Sequence, residues 1–341
     1  MNNPIPYVLV TGATGFIGAH VVDELLRRGI KVKGTTRSLS KAQKMCQDRP
    51  EHADMLDFDV ITDLAHPGVF DEAAQGVDAI IHVASPVTYN ITDNERELLL
   101  PAIQGTKAIL TAAKKHPTVK RIVITSSFAA VLDPAHLDDS NFTFTSKDWS
   151  PFTYEQAKSS DPVIGYRGAK KFAERAAWDC IQNETPHFDL VTICPPMVFG
   201  PVVHPVSKVS ELNESTKTIW EVVSGADPLP VGRVTAWVDV RDVAFAHVEA
   251  LLRPEAGNQR FLIASPEKFS YQLAADILRK EFSWAREVVT RGDEGAPMPE
   301  KANVDGEAVA KALGIQYRGF KDCVIETATQ LRELHRREIS S

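Results

Sequence analysis

Hydrophobic and polar positions fall into blocks whose period changes along the first half of the chain. Tyr7-Val8-Leu9-Val10 is a short apolar run. Lys31 to Thr36 and Met55 to Val60 also read as strands. Ala79-Ile80-Ile81-His82-Val83-Ala84 is apolar at nearly every position, as expected of a strand covered on both faces. Arg121 to Thr125 and Asp189 to Cys194 are two further strands. Between these runs the period lengthens. Ile17, Val21, Val22, Leu25 and Leu26 recur at helical spacing, and Gly29 stands where a helix-ending glycine would. Arg96 to Lys115 carries a helical pattern through Leu99, Ile103 and Ile109, and Gly165 to Ile181 reads as a long helix. Strands alternating with helices predict an α/β protein with a parallel, doubly wound sheet. Right-handed crossovers then line up the strand C-termini along one edge, where ligands bind.

After Pro195-Pro196 the alternation breaks. Residues 197–235 are loop-like and rich in Pro, Ser and Gly, with a helical stretch near Asn213 to Val223. Trp237 to Val243 and Arg260 to Ile263 look like returns to the sheet, and the tail from Glu281 is polar and mixed. The expected division is a main domain over 1–196, with 236–280 returning to it, and a smaller C-terminal substrate-binding lobe of 197–235 and 281–341 that closes over the sheet edge. Asp133 to Pro162 has little periodicity and is expected on the surface near the site.

The first strand runs into Gly12-Ala13-Thr14-Gly15-Phe16-Ile17-Gly18 and then a helix. Gly12 permits a tight turn, Gly15 lets a pyrophosphate approach the backbone, and Gly18 allows close helix packing. N–H groups at the helix start hold an anion without a side-chain charge. A glycine triplet alone also fits an ordinary strand–turn–helix connection. Strand, glycines and helix in this order, opening a βαβ array, point instead to a Rossmann dinucleotide site. An NAD-type site places an acid at the end of the second strand. Here that strand ends in Thr36-Arg37-Ser38, with Lys41 close behind. The first fifty residues hold eight Lys/Arg against three Asp/Glu. Arg27, Arg28 and Lys31 read as a solvated face. Arg37 stands where a cation would meet the extra phosphate of NADP(H), which favours that cofactor over NAD.

Tyr166 and Lys170 are four residues apart on a predicted helix and share a face. A phenol near its reference pKa of about 10 is a poor acid or base at neutral pH. A nearby ammonium stabilises its phenolate, so the tyrosine can exchange a proton with a carbonyl or alcohol oxygen. A surface Tyr–Lys pair is the bland alternative. Thr125-Ser126-Ser127 ends the fifth strand, at the expected ligand edge, where a serine hydroxyl can polarise a substrate oxygen. Neither serine sits in a GxSxG, so a hydrolase elbow is not supported. Capping of a turn is the ordinary alternative.

Composition narrows the reading further. Of 341 residues, 43% are hydrophobic and 24% charged, and the net charge of −7 argues against general nucleic-acid binding. No apolar run is long enough to span a membrane. The N-terminus has no signal-type pattern, and the four cysteines form no CxxC, so reduced thiols in a cytoplasmic protein are expected. Ten scattered histidines show no metal-ligand spacing, and no metal is expected.

Several stretches together carry a family likeness. They are Gly12 to Ile17, Gly34-Thr-Thr-Arg-Ser38, Ala84-Ser-Pro86, Ile91 to Leu98, Thr125 to Val131, Tyr166 to Glu174, Val198-Phe-Gly-Pro201 and Val238 to Val243. Over nearly its whole length the chain resembles the extended short-chain dehydrogenase/reductase superfamily. Within that it resembles the dihydroflavonol-4-reductase-like branch, most of all the fungal NADPH-dependent aldehyde and ketone reductases of the methylglyoxal or isovaleraldehyde type. The resemblance implies that Ser127, Tyr166 and Lys170 are catalytic. It implies that Gly12, Ala13, Thr14, Gly15, Phe16 and Ile17 line the pyrophosphate, that Arg37 and Lys41 hold the 2′-phosphate, and that Asp59 and Val60 flank the adenine. Tyr166 and Lys170 also touch the cofactor, as do Ala84, Val198 and Ser215, the last two toward the nicotinamide half. Val87, Phe128 and Met197 would face the substrate. The fourth strand ends His82-Val83-Ala84-Ser85 where simpler relatives have Asn-Ala-Gly, so no tetrad asparagine carries over and the proton path beyond Lys170 is unassigned. The implied activity is NADPH-dependent reduction of a small-molecule carbonyl substrate to an alcohol by a monomer or homodimer that binds neither nucleic acid nor membrane. Alternatives are a nucleotide-sugar epimerase or dehydratase, against which Arg37 speaks, a hydroxysteroid or cinnamoyl-type reductase with the same mechanism, and a non-catalytic NADP sensor, which would need neither Tyr166 nor Lys170.

Overall fold

The structure, a computed structural model, describes residues 7–85, 92–158 and 161–340. Its strands in chain order are β1 (Tyr7–Thr11), β2 (Lys31–Thr36), β3 (Leu56–Val60), β4 (Ala79–His82), β5 (Arg121–Thr125), β6 (Thr143–Phe144), β7 (Asp189–Cys194), β8 (Met197–Phe199), β9 (Trp237–Asp239), β10 (Gln259–Leu262) and β11 (Asn303–Val304). The helices are α1 (Phe16–Arg27), α2 (Leu39–Gln47), α3 (Leu100–Lys115), α4 (Tyr154–Ala157), α5 (Pro162–Glu184), α6 (Glu214–Val223), α7 (Val240–Leu252), α8 (Tyr271–Glu281), α9 (Ala285–Val288), α10 (Glu307–Leu313) and α11 (Phe320–Ser340).

The chain divides into two compact units. Unit 1 runs through Asp133 and adds Thr145–Cys194 and Ala244–Leu262; unit 2 takes Pro134–Phe144, Pro195–Val243 and the chain from Ile263 onward. Unit 1 is built on a seven-stranded sheet of order β3-β2-β1-β4-β5-β7-β10, parallel throughout. Leu9, Ile80, Ile122 and Leu190 lie side by side across four strands and pack into one buried cluster with Ile109 of α3 and Ala177 of α5. On the opposite face Val10, Ile81, Val123 and Val191 form the matching buried row. Both faces are thus sealed, which is why these strands read as continuous apolar runs. The strand order reverses between β1 and β4, and the crevice beyond their C-terminal ends is the expected ligand position in such sheets.

Several elements differ from the sequence expectation. The helix expected from Arg96 is a π turn over Glu95–Leu99 followed by α3. Pro101, near the start of α3, lacks an N–H and crowds the carbonyl four residues before it, and the wider turn relieves that clash. Helix α5 starts three residues earlier than Gly165 and ends three later than Ile181. Asp161 caps it by accepting from the Val163 and Ile164 N–H groups, and Pro162 takes the first position.

Trp237 to Val243 does not return to the main sheet. Its β9 portion pairs with β8 in a separate two-stranded sheet, and Val240 already opens α7. The three residues Trp-Val-Asp are too few to distinguish one sheet from another. Residues 236–243 and 263–280 therefore belong to unit 2 rather than to the main domain. The 133–162 stretch is not simply a surface loop. Its β6 pairs with β11 in unit 2, Phe144 and Ser150 are buried, and in unit 1 Trp149 lies between the guanidinium groups of Arg175 and Arg260, each 3.7 Å from the ring centre. The tail is polar overall but not irregular. Phe320, Cys323, Val324, Thr327, Ala328 and Leu331 form the buried stripe of α11 at three- and four-residue spacing. That stripe joins Phe199, Trp237, Phe269 and Tyr271 in the core of unit 2.

Candidate active site

Gly12 leaves β1 with φ +66°, and a Cβ there would meet the Ala84 backbone at 3.0 Å, so the residue satisfies both a left-handed turn and a close approach. A Cβ on Gly18 would meet the Gly12 carbonyl oxygen at 2.2 Å. Its smallness therefore serves the turn itself rather than contact with the sheet. Gly15 is exposed and opens α1 with no side-chain cap and no acid in the first turn. The positive end of α1 is thereby suited to an anion. Ala13 and Phe16 are buried behind the turn, Ile17 is half-buried, and the Thr14 hydroxyl lies 2.9 Å from that of Thr36.

Arg37 is exposed directly after β2, and Lys41 lies one turn into α2, whose cap is Ser38. Neither side chain has an acidic partner among the described residues. Most neighbouring cations do: Arg27 and Arg28 pair with Glu24, Lys44 with Asp48, and Arg49 with Asp23. Two unpaired cations at this strand end fit a dinucleotide carrying an extra phosphate. Asp59 is held by Lys33 at 3.0 Å. Val60, opposite Thr36 on β3, is 49% exposed. Leu39, which the sequence alone does not single out, adds a second exposed apolar side chain at the start of α2.

Helix α5 brings Tyr166 and Lys170 together, the Lys170 Nζ lying 5.8 Å from the Tyr166 ring centre. Lys170 is only 8% exposed. Burial pulls its pKa down from the usual lysine value to about 8. Its ammonium donates to Ser85 Oγ at 3.0 Å. Helix α5 also packs against the short 3-10 turn Phe128–Ala130, whose N-cap is Ser127, so Ser127 and Tyr166 come from neighbouring elements.

The two strand-end serines have separate roles. Ser126 is buried and donates to Glu174 Oε2 at 2.6 Å. The Ser127 hydroxyl is half-buried and accepts the Ala129 N–H at 3.1 Å, which leaves its proton for another acceptor. Phe128 is buried beside it. His82 Nδ1 is 2.8 Å from Thr11 Oγ1, and that oxygen also accepts the Ala84 N–H at 3.1 Å. Burial, reinforced by the charge of Lys170, pulls the His82 pKa down to about 3.

Glu174 and Arg260, an ion pair beside the strand-end serines, are missed by motif reading alone. Glu174 accepts from Ser126, from Thr192 at 2.8 Å and from Arg260 at 2.7 Å. Its signal in the sequence is position: it lies one helical turn beyond Lys170 on the same face.

In unit 2, the Ser215 hydroxyl donates to the Val198 carbonyl at 2.7 Å, so these two expected cofactor residues are adjacent, with Met197 beside Val198 on β8. Val87 lies outside the described residues. Among the described residues, no cluster of His, Cys, Asp or Glu could hold a metal ion.

Comparison with known proteins bears on this geometry. The model of the NAD dependent epimerase/dehydratase family matches residues 8–264. The chain is 36% identical over 340 residues to the NADPH-dependent methylglyoxal reductase GRE2 of Saccharomyces cerevisiae, covering 95% of this chain and 97% of that protein. It is 37% identical over 335 residues to the ketoreductase azaE of Aspergillus niger, covering 96% and 97%. The crystal structure of yeast methylglyoxal/isovaleraldehyde reductase Gre2 complexed with NADPH matches with a TM-score of 0.90 at 34% identity, over 97% of this chain and 99% of that one.

Proposed function

Because this chain belongs to the NAD dependent epimerase/dehydratase family, and its relatives include NADPH-dependent carbonyl reductases, we propose that it is itself an NADPH-dependent reductase of aldehydes and ketones. The observation that carries the reading is the buried Lys170 ammonium one helical turn from Tyr166, on a helix packed against the Ser127 turn. When bound, the dinucleotide supplies hydride to the carbonyl carbon. The Tyr166 hydroxyl delivers the proton to the carbonyl oxygen, and Ser127 donates a hydrogen bond to that same oxygen. The Lys170 charge stabilises negative charge on the phenol oxygen as the proton leaves. The backbone from Gly12 to Ile17 holds the pyrophosphate, and Arg37 and Lys41 hold the 2′-phosphate. Asp59 and Val60 flank the adenine, while Ala84, Val198 and Ser215 are assigned to the rest of the cofactor. Phe128, Met197 and Val87 are assigned to the substrate.

No helix among the described residues is long and apolar enough to cross a membrane, and the four cysteines are free. We take the chain to act in the cytoplasm, as a monomer or homodimer.

The test is loss of reduced-nicotinamide absorbance with a panel of aldehydes and ketones, run with NADPH and with NADH. Turnover with NADPH preferred supports both the reaction and the role of Arg37. Preference for NADH removes that role, and no turnover with either cofactor overturns the reading.

A further inference from the structure

An ammonium carries three N–H donors, and that of Lys170 reaches one hydrogen-bond acceptor among the described residues, Ser85 Oγ at 3.0 Å. Ser85 follows β4, and that strand end is fixed from β1. Thr11 Oγ1 binds the His82 ring at 2.8 Å and accepts the Ala84 N–H at 3.1 Å, and the Ala84 backbone lies close enough to Gly12 to leave no room for a side chain there. A cavity of about 20 Å³, with room for roughly one water, borders Ser85, Lys170, Ala102, Gly105, Ile124 and Ala173. His82, Thr106, Thr125, Ser126 and Glu174 line it as well, and among the described residues only Ser85 accepts from the lysine.

Resting on the reductase reading above, we propose that Ser85 is a positioning residue of the reaction, its hydroxyl holding the Lys170 ammonium charged and beside Tyr166.

The other groups that face Lys170 do not substitute for it. His82 of β4 stays neutral. Burial and the neighbouring Glu174 keep the Cys194 thiol of β7 protonated. Glu174 of α5 itself is engaged by Arg260 and Ser126. Helix α3 lines the cavity with Pro101, Ala102, Gly105 and Thr106, none of them titratable, and the turn Phe128–Ala130 carries no titratable side chain. The π turn, and α4 with the residue that caps it, also packed on α5, carry Glu95, Arg96, Glu97, Tyr154, Glu155 and Lys158. These bond among themselves or to Thr92 and Asp93.

The test compares Ser85→Ala and Ser85→Thr in the full chain. A hydrogen bond to a charged group is worth enough to change a rate or a proton affinity roughly tenfold. Ser85→Ala is expected to lower kcat roughly tenfold and to move its high-pH limb about one unit downward, because a less stabilised ammonium loses its proton sooner. The Kd for NADPH and the carbonyl KM should stay within about twofold. Ser85→Thr, which keeps the hydroxyl, should restore both kcat and the limb. Titration of Lys170 followed by NMR of carbon-labelled lysine gives a readout independent of turnover. There Ser85→Ala should lower the midpoint by about one unit. An unmoved midpoint overturns the role of Ser85 whether or not the protein reduces carbonyls. Absent wild-type turnover with a shifted midpoint would instead count against the reductase reading alone.

Discussion

Lys170 in unit 1 and Asp239 in unit 2 are both buried charges, and the fold treats them in opposite ways. Asp239 has no exposed surface. Its two carboxylate oxygens accept from the Arg241 guanidinium at 2.9 and 2.7 Å, and one also accepts the Arg241 backbone N–H at 2.8 Å. Asp242, nearby, is engaged by the backbone and guanidinium of Arg318. Lys170 has no carboxylate partner among the described residues, only a neutral hydroxyl. An unpaired buried charge costs stability that a paired one recovers, and such sites cluster where chemistry needs them. Pairing, not location, makes the distinction: Glu174 and Arg260 lie in unit 1 near Lys170, yet they are matched as fully as Asp239 and Arg241. The matched pairs fasten structure, while the unmatched lysine remains available for catalysis.

The sharpest way to break this comparison is at Tyr166, the group that Lys170 serves. Tyr166→Phe removes the proton donor and leaves the lysine, the glycine turn and Arg37 in place. Reduction should fall by roughly 10²- to 10⁴-fold, while NADPH binding, followed by fluorescence titration, is retained. Surviving reduction would show that the pair is not the catalytic one.

Replacing the cations themselves separates fastening from chemistry. Arg241→Met leaves Asp239 buried and unpaired and should cost about 3 kcal/mol in a denaturant titration. Lys170→Met removes an unpaired buried charge, so stability should hold or rise while turnover collapses. Equal destabilisation by the two changes would erase the distinction.

Arg37 is the exposed counterpart of Lys170, a cation without an acidic partner. If it meets the 2′-phosphate, Arg37→Ala should raise the KM for NADPH by roughly 10- to 100-fold and leave that for NADH nearly unchanged. A parallel loss with both cofactors would make Arg37 a general surface charge.

The sheet of unit 1 and its glycine turn are legible in the sequence because the central strands are buried apolar runs and the first of them leads straight into a glycine turn. Strands β2, β5 and β7 begin and end where the pattern places them, and β1 runs one residue past the apolar run that ends at Val10. The Tyr166–Lys170 pair is legible for a similar reason, since four-residue spacing on a helix fixes contact. Unit 2 is less legible. Its strands are two or three residues long, too short for a period to show, and the tail hides a buried stripe within a charged helix. Ser85, Glu174 and Arg260 are missed for another reason. They act through partners 85, 48 and 86 positions away in the sequence, and no local spacing encodes such contacts.

The expected effect spread over the widest range of conditions concerns His82, the uncharged neighbour of Lys170. Its folded pKa is about 3 against an ordinary 6.5. Between those values the unfolded chain takes up a proton that the folded chain refuses. The stability His82 contributes is therefore fully present above about pH 6.5 and is lost as the pH falls toward 3. Carboxylates titrate in the same window, so the measurement is a difference. The unfolding free energy of the wild type and of His82→Asn, whose side-chain oxygen can still accept from Thr11, is followed from pH 7 downward by denaturant titration. The wild type should lose up to about 1.4 kcal/mol more per pH unit than the variant across that window. Parallel curves would mean that His82 takes up its proton in the folded chain, in which case a second positive charge could stand beside Lys170 and the lysine would not be the lone buried cation of the site.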